Sequence, residues 1–133
     1  LVKKEAKCGF IQGKLAITSG WGGGTYLFEK GMRYDKALKM LTEATPYHSS
    51  ELLEMGWATE VFEGDKVIAL QDFISKMILP HSTVLKAYKK QIIRKWEQSK
   101  LFERIMEEVK ECSILWEADV HHEAVNSFLS KKK

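Results

Sequence analysis

Four glycines within five positions, Gly20-Trp21-Gly22-Gly23-Gly24, followed by Thr25, form the segment of this chain best suited to chemistry. Glycine adds no side chain to a core and loses the most conformational freedom on ordering. Such a cluster therefore implies backbone with φ > 0 or a close approach of the backbone to another group. A glycine-rich loop that runs into a helix presents unpaired N–H groups at the positive end of the helix dipole, which can hold a phosphate, a carboxylate or an oxyanion. Two nucleotide loops are excluded by the residues that follow: there is no Gly-Lys-Ser/Thr, and Thr25 falls where a dinucleotide fingerprint has its last glycine. The plainer alternative is that the glycines let a helix and a strand pack closely.

The remaining reactive side chains carry weaker signals. His121-His122, with Glu123 beside them, suggest a metal or acid–base site, but neighbours on a helix point about 100° apart and cannot face one ion. A solvated helix start near Asp119 is the expectation there. His48 and His81 sit beside expected helix starts and read as capping-region residues. Lys86, Lys89, Lys90 and Arg94 form a basic stripe opposite an apolar face, a solvated surface that could also meet phosphates. Met40, Met55, Met77 and Met106 lie on apolar stripes and are expected in the core. Cys8 and Cys112 are far apart, with no C-x-x-C and no histidine at zinc-ligand spacing, so neither a metal site nor a disulfide framework is expected.

The elements that must position these groups are mainly helical. Residues 1–19 suggest a short strand near Ala6–Phe10 and an extended piece near Leu15–Thr18. The glycine loop follows, with a helix starting at Thr25-Tyr26-Leu27-Phe28. Asp35 is expected to cap a helix bearing Ala37, Leu38 and Leu41 that breaks at Thr45-Pro46. Ser49 or Ser50 should cap a short helix ended by Gly56. Trp57–Phe62 has the strongest strand pattern, and Glu63-Gly64-Asp65 reads as a turn that supplies the next N-cap. Beyond it, four amphipathic helices are marked by Val67/Leu70/Ile74/Met77, Leu85/Tyr88/Ile92/Trp96, Phe102/Ile105/Met106/Val109/Cys112/Trp116 and Ala124/Val125/Phe128/Leu129. Two or three short strands cannot make an independent sheet, so partners from a missing segment or another chain are implied.

Bulk properties fit a single domain. The chain has 133 residues, 44% of them hydrophobic and 29% charged. A net charge of +3 that includes the terminal Lys131-Lys132-Lys133 gives no indication of a nucleic-acid partner. No apolar run approaches the roughly 20 residues of a membrane helix. A reducing, cytoplasmic setting without membrane contact is the expectation. The chain begins at Leu1 within strand-like material, as either a fragment or a processed end would.

Taken together, Ala6-Lys7-Cys8-Gly9-Phe10, Gln12 and Leu15-Ala16-Ile17-Thr18-Ser19-Gly20-Trp21-Gly22-Gly23 resemble a motif of the crotonase (enoyl-CoA hydratase/isomerase) superfamily, A-x-F-G-x-P-E-x-x-L-G-x-x-P-G-x-G-G. Leu41-Thr42-Glu43 and Ser49 to Ala58 are similar to its L-T-G and S-A-x-E-A-x-x-x-G-L-V segments. Asp119 to Lys131 resembles D-x-x-E-G-x-x-A-F-x-E-K. The resemblance covers nearly the whole chain and only the C-terminal half of such proteins. It implies an α/β crotonase-like (ClpP/crotonase spiral) fragment, mainly helical here, with residues 1–64 in the spiral core and 65–133 in a helical trimerisation region.

The activity implied is that of an acyl-CoA-thioester enzyme of fatty-acid metabolism, an enoyl-CoA hydratase/isomerase acting as lyase or isomerase. Its oxyanion hole and first catalytic glutamate lie in the half this chain lacks, so the chain alone is expected to be inactive. No cofactor or metal is implied, since coenzyme A is part of the substrate, and the full-length protein is expected to be a trimer or a dimer of trimers. Gln12 stands at the second catalytic glutamate, where an amide cannot transfer a proton as a carboxyl does. Ile11, Cys8 and Ser19 also depart from the pattern. Gly20, Trp21 and Gly22 are implied at the acyl pocket, with Trp21 presenting a flat side chain to it as in decarboxylating or isomerising members. Phe128 and Lys131 match positions that line the acyl-CoA site, the lysine facing CoA phosphate. The rival readings are an acyl-CoA decarboxylase or isomerase, and a degenerate member that binds CoA or oligomerises without turnover.

Overall fold

Short caps and tight turns set most element boundaries in the computed structural model, which describes residues 1–131. The order is β1 (Val2–Lys3), β2 (Lys7–Cys8), a 3-10 turn (Gln12–Leu15), α1 (Gly23–Glu29), α2 (Tyr34–Glu43), β3 (Tyr47–His48), α3 (Ser49–Glu54), β4 (Val61–Phe62), α4 (Lys66–Met77), α5 (Ser82–Gln98), α6 (Leu101–Trp116) and α7 (Asp119–Ser130). Lys132 and Lys133, the end of the basic tail and of the expected 65–133 region, lie outside the described residues.

The strands tie the N-terminal segment down and do not form a layer of their own. β1 pairs in parallel with β4, Val2 opposite Val61, and β2 pairs antiparallel with β3, Lys7 opposite His48. Such two-residue ladders are too short to stand alone. The Ser49 hydroxyl adds a bond to the Lys4 carbonyl at 2.5 Å. Beneath them a core gathers Leu27 from α1, Ala37 and Met40 from α2, and Leu52 from α3, with Met40 and Leu52 fully buried. Tyr47 is buried beside it, its hydroxyl donating to the Glu43 carboxylate at 2.5 Å. Burial, and then that hydrogen bond, push its phenol up to about 12.

Several boundaries differ from the sequence expectation for local reasons. Leu15–Thr18 is not extended: the 3-10 turn over Gln12–Leu15 closes at Ala16 with φ of 56°, whose N–H donates to the Gly13 carbonyl at 3.2 Å. The first helix starts at Gly23, two residues before Thr25. Asp35 does not cap α2; Arg33 precedes the helix and its guanidinium takes both Asp35 carboxylate oxygens, at 3.0 and 2.9 Å. At α3 the cap is His48, whose N–H donates to the Glu51 carboxylate at 2.8 Å, while Ser49 is already inside the helix. Trp57–Phe62 contributes only Val61–Phe62 as strand, because the Trp57 and Ala58 N–H groups both turn back to the Leu52 carbonyl at 2.9 Å. The strands number four among the described residues, each of two residues.

Asp65 caps α4 as expected, accepting from Val67 N–H at 2.8 Å and Ile68 N–H at 3.1 Å, and His81 accepts from Thr83 N–H at the start of α5. No described residue of α4 or α5 is buried, and Leu79 between them is 82% exposed. Met77 and Met106 are therefore exposed instead of core, since no described residue covers the faces of α4 and α6 on which they lie. No described helix is long and apolar enough to cross a membrane.

Candidate functional site

Residues far apart in the chain, from Gln12 in the 3-10 turn to Glu108 in α6, line a cavity of about 530 Å³. Phe10, Ile17, Phe28 and Leu41 supply an apolar lining, and Gln12, Ser19, Thr42 and Glu108 are polar groups in the wall. That mixture of apolar surface with a few placed polar groups is what a small-molecule site requires.

Gln12 is carried on a turn held from outside by α7. His121 is buried, and its Nδ1 donates to the Leu15 carbonyl at 2.6 Å while its ring tilts against Trp116. This corrects the expectation of a solvated His121 at a helix start: the residue falls on the Ala124/Val125/Phe128 stripe and packs inward. Gln12 itself is half-buried, and its Oε1 is enclosed with no hydrogen-bond partner. Among the described residues no group of three or more His, Cys, Asp or Glu could hold a metal ion.

The glycine loop docks onto α6. Gly22 has φ of 75°, and a Cβ there would fall inside the Ile105 side chain; one on Gly24 would come within 2.7 Å of the Glu108 carboxylate. These glycines permit a close approach between loop and helix. Glu108 reaches into the space so created. Its Oε1 accepts from the Ser19 hydroxyl at 2.8 Å and Gly24 N–H at 3.0 Å, and its Oε2 from Thr25 N–H at 2.6 Å. Ser19 in turn accepts from Gly24 N–H at 2.9 Å. The donors at the start of α1 are thus taken by the chain's own carboxylate, and the loop is no open phosphate cradle.

The sequence-derived site residues separate into three places. Gln12 lies in the cavity wall. Gly20, Trp21 and Gly22 flank it: Trp21 is 62% exposed and stacks on Phe10, which does line the cavity, with ring centres 5.6 Å apart. Phe128 and Lys131 line a second cavity of about 460 Å³ with Lys14, Ala124 and Ser127, on the α7 side of the turn that carries Gln12. Glu108 is the residue that sequence reasoning missed. Its signal was a charge on a buried stripe, three residues after Ile105 and four before the buried Cys112.

No known family profile matches the sequence, and no characterised protein matches it either. Its structure is similar to that of carnitinyl-CoA hydratase from Mycobacterium avium, with a TM-score of 0.71 over 97% of this chain and 50% of that protein. The fold is crotonase-like. Sequence identity to the hydratase is 19%, so the likeness concerns the path of the chain and not its chemistry, and the chain spans half of that protein's length. Within this crotonase-like fold the apolar cavity with Gln12 in its wall is the feature best suited to hold a ligand.

Proposed function

We propose that this chain is part of an acyl-CoA-thioester enzyme of the crotonase superfamily, nearest in activity to the enoyl-CoA hydratases and isomerases. The observation that carries the reading is the placement of Gln12, at the motif position of a catalytic glutamate, in the wall of an apolar cavity of about 530 Å³. In this proposal the acyl group enters between Phe10, Ile17, Phe28 and Leu41. Gln12 orients the acyl group or a water by hydrogen bonding, without moving a proton. The hydrogen-bonded Glu108–Ser19 pair is a fixed polar part of the wall. The CoA end runs towards Lys14 and Lys131, two cations suited to its phosphates.

The same proposal places the thioester oxygen donors in a preceding half of a longer cytoplasmic protein, and gives α4 and α5 a role in assembling a trimer. An amide at position 12 also favours a second reading, isomerisation or decarboxylation, because adding water across a double bond needs a proton donor and acceptor that Gln12 cannot be. The neighbouring fold includes a protein named carnitinyl-CoA hydratase, which supports a CoA thioester as ligand.

Calorimetric titration with butyryl-CoA and with free CoA, alongside turnover assays on crotonyl-CoA, tests the reading. Binding of butyryl-CoA tighter than CoA is expected of an acyl site. Crotonyl-CoA hydration at ordinary hydratase rates by a longer parent protein would remove the decarboxylase alternative. CoA binding with no thioester turnover there would leave a non-catalytic binder, and no binding of either compound would end the acyl-CoA reading.

A further inference from the structure

Ser99 and Lys100 are the whole connection between α5 and α6, and Lys100 lies in the left-handed region, with φ of 50° and ψ of 46°. A helix end that needs this conformation ordinarily has glycine there, because a Cβ crowds the following carbonyl oxygen. Yet no glycine or proline occurs from Ser82 to Trp116, and Glu97, Gln98, Lys100 and Leu101 are all good helix formers. No side-chain cap bond forms at the start of α6 either, so its first N–H groups lack the acceptor a cap supplies. Local preference thus favours running α5 straight into α6, and tertiary contacts hold the bend.

Those contacts are few on the α5 side. No residue of α5 is buried; Lys95 meets Glu29 of α1 at 3.8 Å, and Trp96 stands edge-on to Tyr26 with ring centres 6.3 Å apart. α6 is held far better, by buried Leu101 and Cys112, the Arg104–Glu29 ion pair and the bonds of Glu108. We infer that Ser99–Lys100 is a bistable hinge. The chain exchanges between the bent form and a straight form in which α5 and α6 are one helix from Ser82 to Trp116. α6 stays docked, while α5 swings off α1 and carries α4 with it. Straightening relieves the left-handed residue and lets the last carbonyls of α5 accept from the first N–H groups of α6; it gives up a partly exposed ion pair and the packing of Trp96. The hinge stands apart from the acyl-CoA reading but bears on the cavity, because α1 turns Tyr26 and Glu29 to α5 and Gly24, Thr25 and Phe28 to the cavity.

Pulsed electron–electron distance measurement on the 133-residue chain tests this, with spin labels at Lys90→Cys and Lys110→Cys and with Cys8→Ser and Cys112→Ala to clear the native thiols. Dilution into unlabelled chain restricts the signal to distances within one molecule. A helical run of about 20 residues is about 30 Å long, so the straight form should give a population near that distance beside the shorter one of the bent form. Lys100→Gly should cut the long population about tenfold, since glycine takes the left-handed turn freely and weakens a continuous helix. Trp96→Ala should raise it about two- to tenfold, since it loosens α5 and leaves the bonds of α6 intact. Only the shorter distance, in the unmodified chain and in Trp96→Ala alike, overturns the inference, and so does a long population that Lys100→Gly leaves unchanged. Should the thiol-free background not fold, fluorine NMR of the chain labelled with 5-fluorotryptophan reads the same exchange. Two Trp96 signals that collapse to one in Lys100→Gly are expected there; a single Trp96 signal in the unmodified chain, or two that Lys100→Gly leaves unchanged, overturns the hinge.

Discussion

Replacing Glu108 by alanine removes at one stroke the acceptor for Thr25 N–H at 2.6 Å, for Gly24 N–H at 3.0 Å and for the Ser19 hydroxyl at 2.8 Å. Gly24 and Ser19 are buried, so water cannot fully replace the carboxylate. The short charge-assisted bond to Thr25 contributes about 1.5–3 kcal/mol. Gly24 N–H keeps Ser19 Oγ as a partner and loses less, and the Ser19 hydroxyl, left without its acceptor, adds about 1 kcal/mol. Together these give a destabilisation of about 3–4 kcal/mol, a large share of the roughly 5–15 kcal/mol that holds a domain together. Glu108→Gln keeps the shape and one acceptor oxygen but turns an NH2 towards a backbone donor, so it should cost about half as much. Urea unfolding followed by circular dichroism, on the unmodified chain, both variants, Ser19→Ala and the Glu108→Ala/Ser19→Ala double mutant, measures each step. The double mutant should be less destabilised than the sum of the singles by about 0.5–3 kcal/mol. A loss below about 1 kcal/mol for Glu108→Ala, or strict additivity with Ser19→Ala, would refute the reasoning.

Three further outcomes are expected. Leu52→Ala, at a fully buried position, should destabilise by about 2–5 kcal/mol, while Leu53→Ala, 45% exposed, should change stability by no more than about 0.5 kcal/mol in the same urea assay. Folded Tyr47 holds its proton up to about 12 whereas the unfolded phenol releases it near 10.0, so its contribution to stability is full below pH 10 and lost as the pH rises towards about 12. The stability difference between the unmodified chain and Tyr47→Phe should shrink across that window; a constant difference contradicts the assignment. The uncovered apolar stripes of α4 and α5, including Leu70, Ile74, Leu85 and Ile92, should make the chain self-associate in light scattering, and Leu85→Glu with Ile92→Glu should reverse it. A monodisperse monomer at about tens of micromolar speaks against this.

The helical periods were readable because they depend on neighbours three and four residues away, and the stripes from Val67 to Leu129 indeed fall on α4 to α7. Asp65 was equally readable, since a cap and the N–H groups it accepts from are local. What the pattern could not carry was contact at a distance. Glu108 meets Gly24 across 84 positions and His121 meets Leu15 across 106, so a carboxylate that local pattern leaves unassigned and a histidine that looks like a helix start both turn out to hold loops in place. Trp57–Phe62 misled for the opposite reason: its strand-like composition is overridden by a turn back onto the Leu52 carbonyl. For the candidate site, the motif led to Gln12, and the cavity around it became visible only once Leu41 and Phe28 were seen to face it. The glycine loop was recognisable as unusual, but its reason, the close seat on Ile105 and Glu108, lies in a helix the loop itself does not announce.

Whether the Gln12 cavity receives the acyl end of a CoA thioester is tested most directly by a heteronuclear NMR titration of the chain with butyryl-CoA, with free CoA as the reference. Butyryl-CoA should shift the signals of Phe10, Gln12, Ile17, Phe28 and Leu41, while free CoA should move those of Lys14 and Lys131 and leave the cavity lining in place. Shifts confined to the exposed faces of α4 and α5, or none at about 1 mM ligand, would contradict the proposal.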